Sequence, residues 1–179
     1  MTSALELVDA PVEPGKLAGC ELCELTAVAA ATGVPALPVL SATQAQGVLA
    51  PVVLRHEKFI VILVDDPAYP GFARVIWNDH VREMSDLADE DRLLLNDAVW
   101  KVEQALREVM QPLKVNLASL GNLVPHLHWH VIPRYADDAH FPAPVWAPAA
   151  SLPPPAVLDE RRALLPQLAE AITRKFASR

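Results

Sequence analysis

Residues 124–133 read Val124-Pro125-His126-Leu127-His128-Trp129-His130-Val131-Ile132-Pro133, and their alternation decides what kind of chain this is. Apolar and histidine positions exchange with period two, as they do along a β-strand with two different faces. Side chains at i, i+2 and i+4 of a strand share one face, with neighbours roughly 6–7 Å apart. His126, His128 and His130 are therefore expected to line up on one side, with Leu127, Trp129 and Val131 on the other. Half of the six histidines in the chain fall in these five positions. A lone strand histidine usually serves as packing. Three aligned imidazoles are different, because burying several polar rings without partners costs a few kcal/mol. The row points to nucleophilic, proton-transfer or metal chemistry.

The rest of the composition narrows the setting. With 179 residues, 52% of them hydrophobic and 21% charged, the chain is expected to fold as one globular unit. A net charge of -7 argues against a nucleic-acid polymer as partner, since no broad basic surface is available. A small anionic substrate stays open, because backbone N–H groups and imidazoles can bind one locally. Met1–Ala10 has no basic start and contains Glu6 and Asp9, unlike a signal peptide, and no apolar run approaches the roughly 20 residues of a membrane helix. The expectation is a cytoplasmic protein without membrane association. Its two cysteines, Cys20 and Cys23, have Cys-x-x-Cys spacing, which in that compartment suggests a metal knuckle or redox pair.

Working outward, residues 1–19 read as a flexible lead-in and Leu25–Thr32 as a short helix. Residues 33–51, rich in glycine and proline, read as loop. Val52–Arg55, Phe59–Val64 and Phe72–Trp77 read as strands. Residues 87–110 read as the clearest helix: Asp89, Glu90 and Asp91 favour its N-terminal dipole, and Leu95, Val99, Val102, Leu106 and Val109 form an apolar stripe. Val115–Leu120 reads as a strand, followed by the turn Gly121-Asn122 and the histidine strand. Beyond Tyr135 the chain is proline-rich, and Leu158–Phe176 reads as an amphipathic helix containing Pro166. Strands around one long helix imply an α+β domain on an antiparallel sheet.

His126-Leu127-His128-Trp129-His130-Val131-Ile132 resembles the signature of the histidine triad superfamily, His-φ-His-φ-His-φ-φ with φ apolar, at every position. The resemblance covers about residues 52–135 together with the cysteine pair. It implies a five-stranded antiparallel sheet with a long helix, paired into a homodimer. Residues 20–150 would form this domain, preceded by the lead-in over 1–19 and followed by a proline-rich segment and helix over 151–179. It also implies chemistry at the α-phosphate of a nucleotide-type substrate, a dinucleoside polyphosphate or a nucleoside phosphoramidate. His128 would be the nucleophile, forming a nucleotidyl-histidine intermediate that water releases.

The residues themselves support those roles. Neutral imidazole is nucleophilic near pH 7, and a covalent step splits one hard displacement into two easier ones. His130 can offer an N–H to phosphoryl oxygens, as can the backbone of Gly121 and Asn122 and the Asn122 amide. The resemblance assigns Asn116 to phosphate or leaving group and Asp65 to the ribose hydroxyls, both of whose hydrogen bonds a carboxylate can accept.

Some bacterial members of the superfamily complete a zinc site with a Cys-x-x-Cys pair, a histidine before the long helix, and the first triad histidine. Here these are Cys20, Cys23, His80 and His126, a closed Cys₂His₂ set whose zinc would be structural. The chain departs from the family in carrying Trp77-Asn78-Asp79-His80 where Pro-Lys-x-His is common, which removes a positive charge. It also carries Asn122-Leu123 where many relatives have Gln-Ser. Two other functions fit the same residues: a metal-dependent hydrolase whose catalytic ion is held by the triad, and a nucleotide-binding regulatory protein with little turnover.

Overall fold

Two β-branched and aromatic runs, Val52–Arg55 (β1) and Phe59–Leu63 (β2), flank a short polar turn. They form an antiparallel hairpin closed by the His56 N–H donating to the Phe59 carbonyl at 2.8 Å. Ala73–Trp77 (β3) pairs with β2, Lys114–Ala118 (β4) and His128–Arg134 (β5) pair with each other, and β5 pairs with β3. The result is a five-stranded antiparallel sheet of order β1-β2-β3-β5-β4. A computed structural model describes this fold for residues 15–31 and 52–177. Residues 1–14 of the lead-in expected over 1–19, and the loop expected over 33–51, lie outside the described residues.

The period-two pattern gives the sheet two chemically different faces. Phe59, Val61, Ala73, Val75, Trp77 and Val131 face Asp89–Met110 (α2) and form the main core with its Leu95, Val99, Val102 and Leu106. Each such fully buried aliphatic side chain contributes roughly 1.5–3 kcal/mol. The opposite face carries Ile60, Ile62 and Ile76 under Glu21–Ala31 (α1), against Leu22, Cys23 and Ala29. That second face is also the one with His128 and His130, because Ile76 pairs with His128 and Arg74 with His130.

Among the boundaries that differ from the sequence reading, three carry a clear physical reason. The ladder of the histidine strand begins at His128, not before His126. The His126 N–H turns back to the Val124 carbonyl at 2.8 Å, and Leu127 bonds Val81 and Trp77 beyond the end of β3. The short N-terminal helix starts at Glu21, ahead of the expected Leu25, with Glu21 and Glu24 in its first turn. The last helix is broken into Pro155–Ala163 (α3) and Leu165–Ala177 (α4). Pro166 has no N–H for the residue-162 carbonyl and its ring crowds that carbonyl. Leu164 bonds Arg161 instead, and α4 sets off on its own with Leu168, Ala171 and Ile172 in the main core.

Candidate functional site

Two groups of side chains meet where β3 and β5 end. The first is a buried cluster of Cys20, Cys23, His80 and His126, whose ligand atoms all lie within 4.8 Å of one another. Cys20 Sγ is 3.5 Å from His126 Nδ1, while Cys23 Sγ is 3.4 Å from the same nitrogen and 3.5 Å from His80 Nδ1. Several bonds bring these distant residues together. The His80 N–H donates to the Gly15 carbonyl at 2.5 Å. Lys16 Nζ donates to Thr26 Oγ1 and, at 2.6 Å, to the Asn78 carbonyl, latching the start of α1 to the end of β3.

The tautomer of His126 follows from its surroundings. Its Nε2 lies 2.7 Å from the Trp77 carbonyl, which can only accept, so Nε2 carries the proton and Nδ1 presents a lone pair to the thiols. Burial holds the ring neutral, its pKa pushed down to about 4, and burial likewise lowers His80. Two neutral imidazoles and two thiols that can ionise form a set able to hold a metal ion. A ligating ring that donates its other nitrogen to a carbonyl is the usual supporting arrangement.

The second group is His128 with His130. His128 Nδ1–H donates to the His126 carbonyl at 2.6 Å, leaving Nε2 with its lone pair. That Nε2 is 2.9 Å from His130 Nε2, so His130 is the donor of the pair. Both rings are buried and neutral: burial lowers His128, and burial followed by the nearby Arg74 charge brings His130 down to about 4. The Phe72 ring lies 5.4 Å from His130 and supports it from the side. The three histidines are thus divided. His126 turns toward the cysteines, and its backbone carbonyl sets the proton of the next histidine.

The other residues singled out from sequence are less closely gathered. Asn116 pairs with Ile132 and so shares the histidine face; its Oδ1 accepts from Arg134 Nη1 at 2.6 Å. Gly121 has φ of +69°, which glycine adopts freely, and Asn122 is exposed in the β4–β5 loop. Leu123, Val124 and Pro125 of that loop line a cavity of about 220 Å³ shared with Leu17, Gly19 and His80, beside the cysteine cluster. Asp65 is exposed past the end of β2, and no hydrogen bond to another described residue ties it to the triad.

Sequence reasoning missed two features. One is Arg74, a charged residue inside an apolar strand, whose parity was readable but whose pairing with His130 was not. The other is the buried network after β5. There Arg134 Nε donates to Asp138 Oδ2 at 2.7 Å, and Tyr69 Oη donates to Asp138 Oδ1 at 3.1 Å. Burial works against the Asp138 carboxylate, but Arg134 and the backbone N–H groups of His140 and Tyr135 outweigh it, bringing its pKa down to about 2.

Comparison with known proteins gives the following. The sequence model of the HIT domain family matches residues 48–137. AP-4-A phosphorylase of Mycobacterium tuberculosis is 30% identical over 113 residues, 60% of this chain and 58% of that protein, so the chain spans little more than half of that relative's length. The protein named hit of Bacillus subtilis is 27% identical over 131 residues, 70% of this chain and 85% of the relative. Among solved structures, a histidine triad protein of Bradyrhizobium japonicum superposes with a TM-score of 0.57 at 29% identity, covering 70% of this chain and 90% of its own. A Zn-bound histidine triad family protein of Mycobacterium smegmatis shares the fold with a TM-score of 0.55 at 18% identity, covering 90% of this chain and 98% of its own.

Proposed function

Because this chain belongs to the HIT domain family, we propose that it is a nucleotidyl hydrolase or transferase acting at the α-phosphate of a dinucleoside polyphosphate or a nucleoside phosphoramidate. The observation that carries the reading is the 2.6 Å bond from His128 Nδ1–H to the His126 carbonyl, which leaves Nε2 as a nucleophile needing no base. In the first step His128 Nε2 attacks phosphorus, an N–P bond forms, and the bond to the leaving group breaks with its electron pair, a polyphosphate departing as the anion and an amine after taking a proton from solvent. The positive charge that develops on the imidazole is stabilised by the carbonyl already bonded to Nδ1–H. His130 Nε2–H, which rests on His128 without substrate, turns to a phosphoryl oxygen as that lone pair is consumed. Water then attacks phosphorus, releases the nucleoside monophosphate and restores His128.

Asn116 supports the same reading, since Arg134 occupies its carbonyl oxygen and the NH₂ group is left to donate to phosphate. We assign the backbone of Gly121 and Asn122 to phosphate and Asp65 to the ribose hydroxyls. The division of the triad weighs against a catalytic metal held by all three histidines, because the His126 nitrogen with a free lone pair faces two sulfurs.

We further propose zinc for the cluster of Cys20, Cys23, His80 and His126. Ordinary zinc–sulfur and zinc–nitrogen lengths in a tetrahedral site put sulfur and nitrogen about 3.5 Å apart. Three of the four sulfur–nitrogen separations here, at 3.4–3.5 Å, fit that requirement. Bound zinc would fix the N-terminal segment and the His126 backbone, whose carbonyl orients the nucleophile. The family's homodimer is proposed as well: β4 is an outer strand of the sheet, with Leu113, Leu117 and Leu120 exposed along it and Trp100 exposed on α2.

The deciding experiment is to quench a reaction with labelled adenosine phosphoramidate and map the label. A nucleotidyl adduct on His128 is expected, and His128→Ala should lower kcat by about 10³-fold or more. Turnover that persists in His128→Ala would overturn the assignment.

A further inference from the structure

Arg74, the second residue of β3, is the direct cross-strand partner of His130, so its side chain leaves the sheet on the face of His128 and His130. Its Nε is buried and has no hydrogen-bond partner. No carboxylate of the described residues lies within salt-bridge distance of it. Glu21 on α1 attracts it only at longer range, and burial makes its charged form less favourable than in water. What holds it in place is the Phe72 ring, 5.6 Å from the guanidinium carbon, and the same ring packs against His130.

A partly desolvated guanidinium without an anion is an unfavourable arrangement, and folds rarely retain one unless something compensates it. The guanidinium fork matches phosphate oxygens, which it can bind through two parallel N–H bonds. An anion that pairs with Arg74 would meet it on the histidine face, and the substrate assigned to that face carries phosphates. Resting on the reading above, we propose that Arg74 binds the phosphate next to the one attacked, and so tunes the site to substrates whose leaving group is itself a polyanion. A dinucleoside polyphosphate has such a phosphate; a nucleoside phosphoramidate, losing an amine, has none. In a chain of net charge -7 the residue also supplies local attraction that the surface as a whole does not.

The test compares kcat/KM for diadenosine tetraphosphate and adenosine phosphoramidate in the wild type, Arg74→Met and Arg74→Lys. Losing a charge-assisted hydrogen bond to phosphate should lower the value for the polyphosphate about 10- to 100-fold in Arg74→Met, and for the phosphoramidate by less than about threefold. Arg74→Lys, which keeps the charge and loses the fork, should fall between and carries the comparison if the methionine variant does not fold. An equal loss on both substrates, or no loss on either, would overturn the proposal. If the wild type turns over neither substrate, the enzymatic reading fails by itself. Calorimetric titration with ATP and with AMP then decides Arg74: the preference for ATP should drop about tenfold in the variant, and an unchanged preference overturns the assignment.

Discussion

Replacing Asp138 by alanine should be among the most damaging single changes available outside the triad. Asp138 is buried, with its side chain 1% exposed beside an Arg134 side chain 3% exposed. Its Oδ1 accepts from Tyr69 Oη at 3.1 Å, Arg134 Nη2 at 3.1 Å, the His140 N–H at 2.9 Å and the Phe141 N–H at 2.7 Å. Its Oδ2 accepts from Arg134 Nε at 2.7 Å and the Tyr135 N–H at 3.1 Å. Truncation strands the guanidinium in the interior, a situation that costs about 3–5 kcal/mol. For a domain of this size that is a fall in Tm of roughly 6–20 °C.

A second magnitude comes from proton linkage. The carboxyl pKa falls from an ordinary 3.8 to about 2 in the folded chain, worth roughly 2–3 kcal/mol at neutral pH. It is smaller than the truncation figure because protonating Asp138 leaves most of its neighbours hydrogen-bonded. A depressed folded pKa means that this stabilisation is complete above about pH 4 and fades as pH falls toward 2. Urea unfolding of the wild type, Asp138→Ala, Arg134→Met and the Arg134→Met/Asp138→Ala pair between pH 2 and 7 measures both. The pair should be less destabilised than the two single variants summed, by at least about 1.5 kcal/mol. A loss below about 1 kcal/mol in Asp138→Ala, or strict additivity, would refute the reasoning.

Two other outcomes are expected. Metal analysis of the Cys20→Ser, Cys23→Ser double variant should show the loss of about one zinc equivalent per chain, with a lower Tm, because a four-ligand site does not survive on two imidazoles; unchanged metal content would remove the site. Leu117→Lys, placed on the exposed outer strand, should shift sedimentation equilibrium toward monomer by charging an apolar contact, and an unaltered mass distribution would exclude that edge from the interface.

Much of this architecture is legible because the local patterns agree with one another. Val52–Arg55 is bounded by the polar turn His56-Glu57-Lys58, and the strand is found there. The stripe from Leu95 to Val109 names the packed face of α2: the structure buries Leu95, Val99, Val102 and Leu106 and packs the half-buried Val109 against the same core. Where the reading faltered, a distant partner intervened. His126 keeps the alternation of the triad in sequence, yet it leaves the ladder because Trp77 and two cysteines from another segment hold its ring. Ser119 and Leu120 read as strand, but β4 ends at Ala118, opposite His130. A break at Pro166 could be expected from chemistry alone; the role of α4 in the main core could not.

The sequence by itself determined the elements and their faces, because hydrophobic period and turn chemistry act over a few residues and survive in one dimension. It also carried the motif and, through the family resemblance of that motif, the four metal-binding candidates. Only the tertiary structure showed which groups each histidine meets. The sulfurs and the Trp77 carbonyl that hold His126 and the guanidinium beside His130 come from segments dozens of residues away. Which of them meets which ring depends on strand pairing, a long-range property that no local pattern encodes.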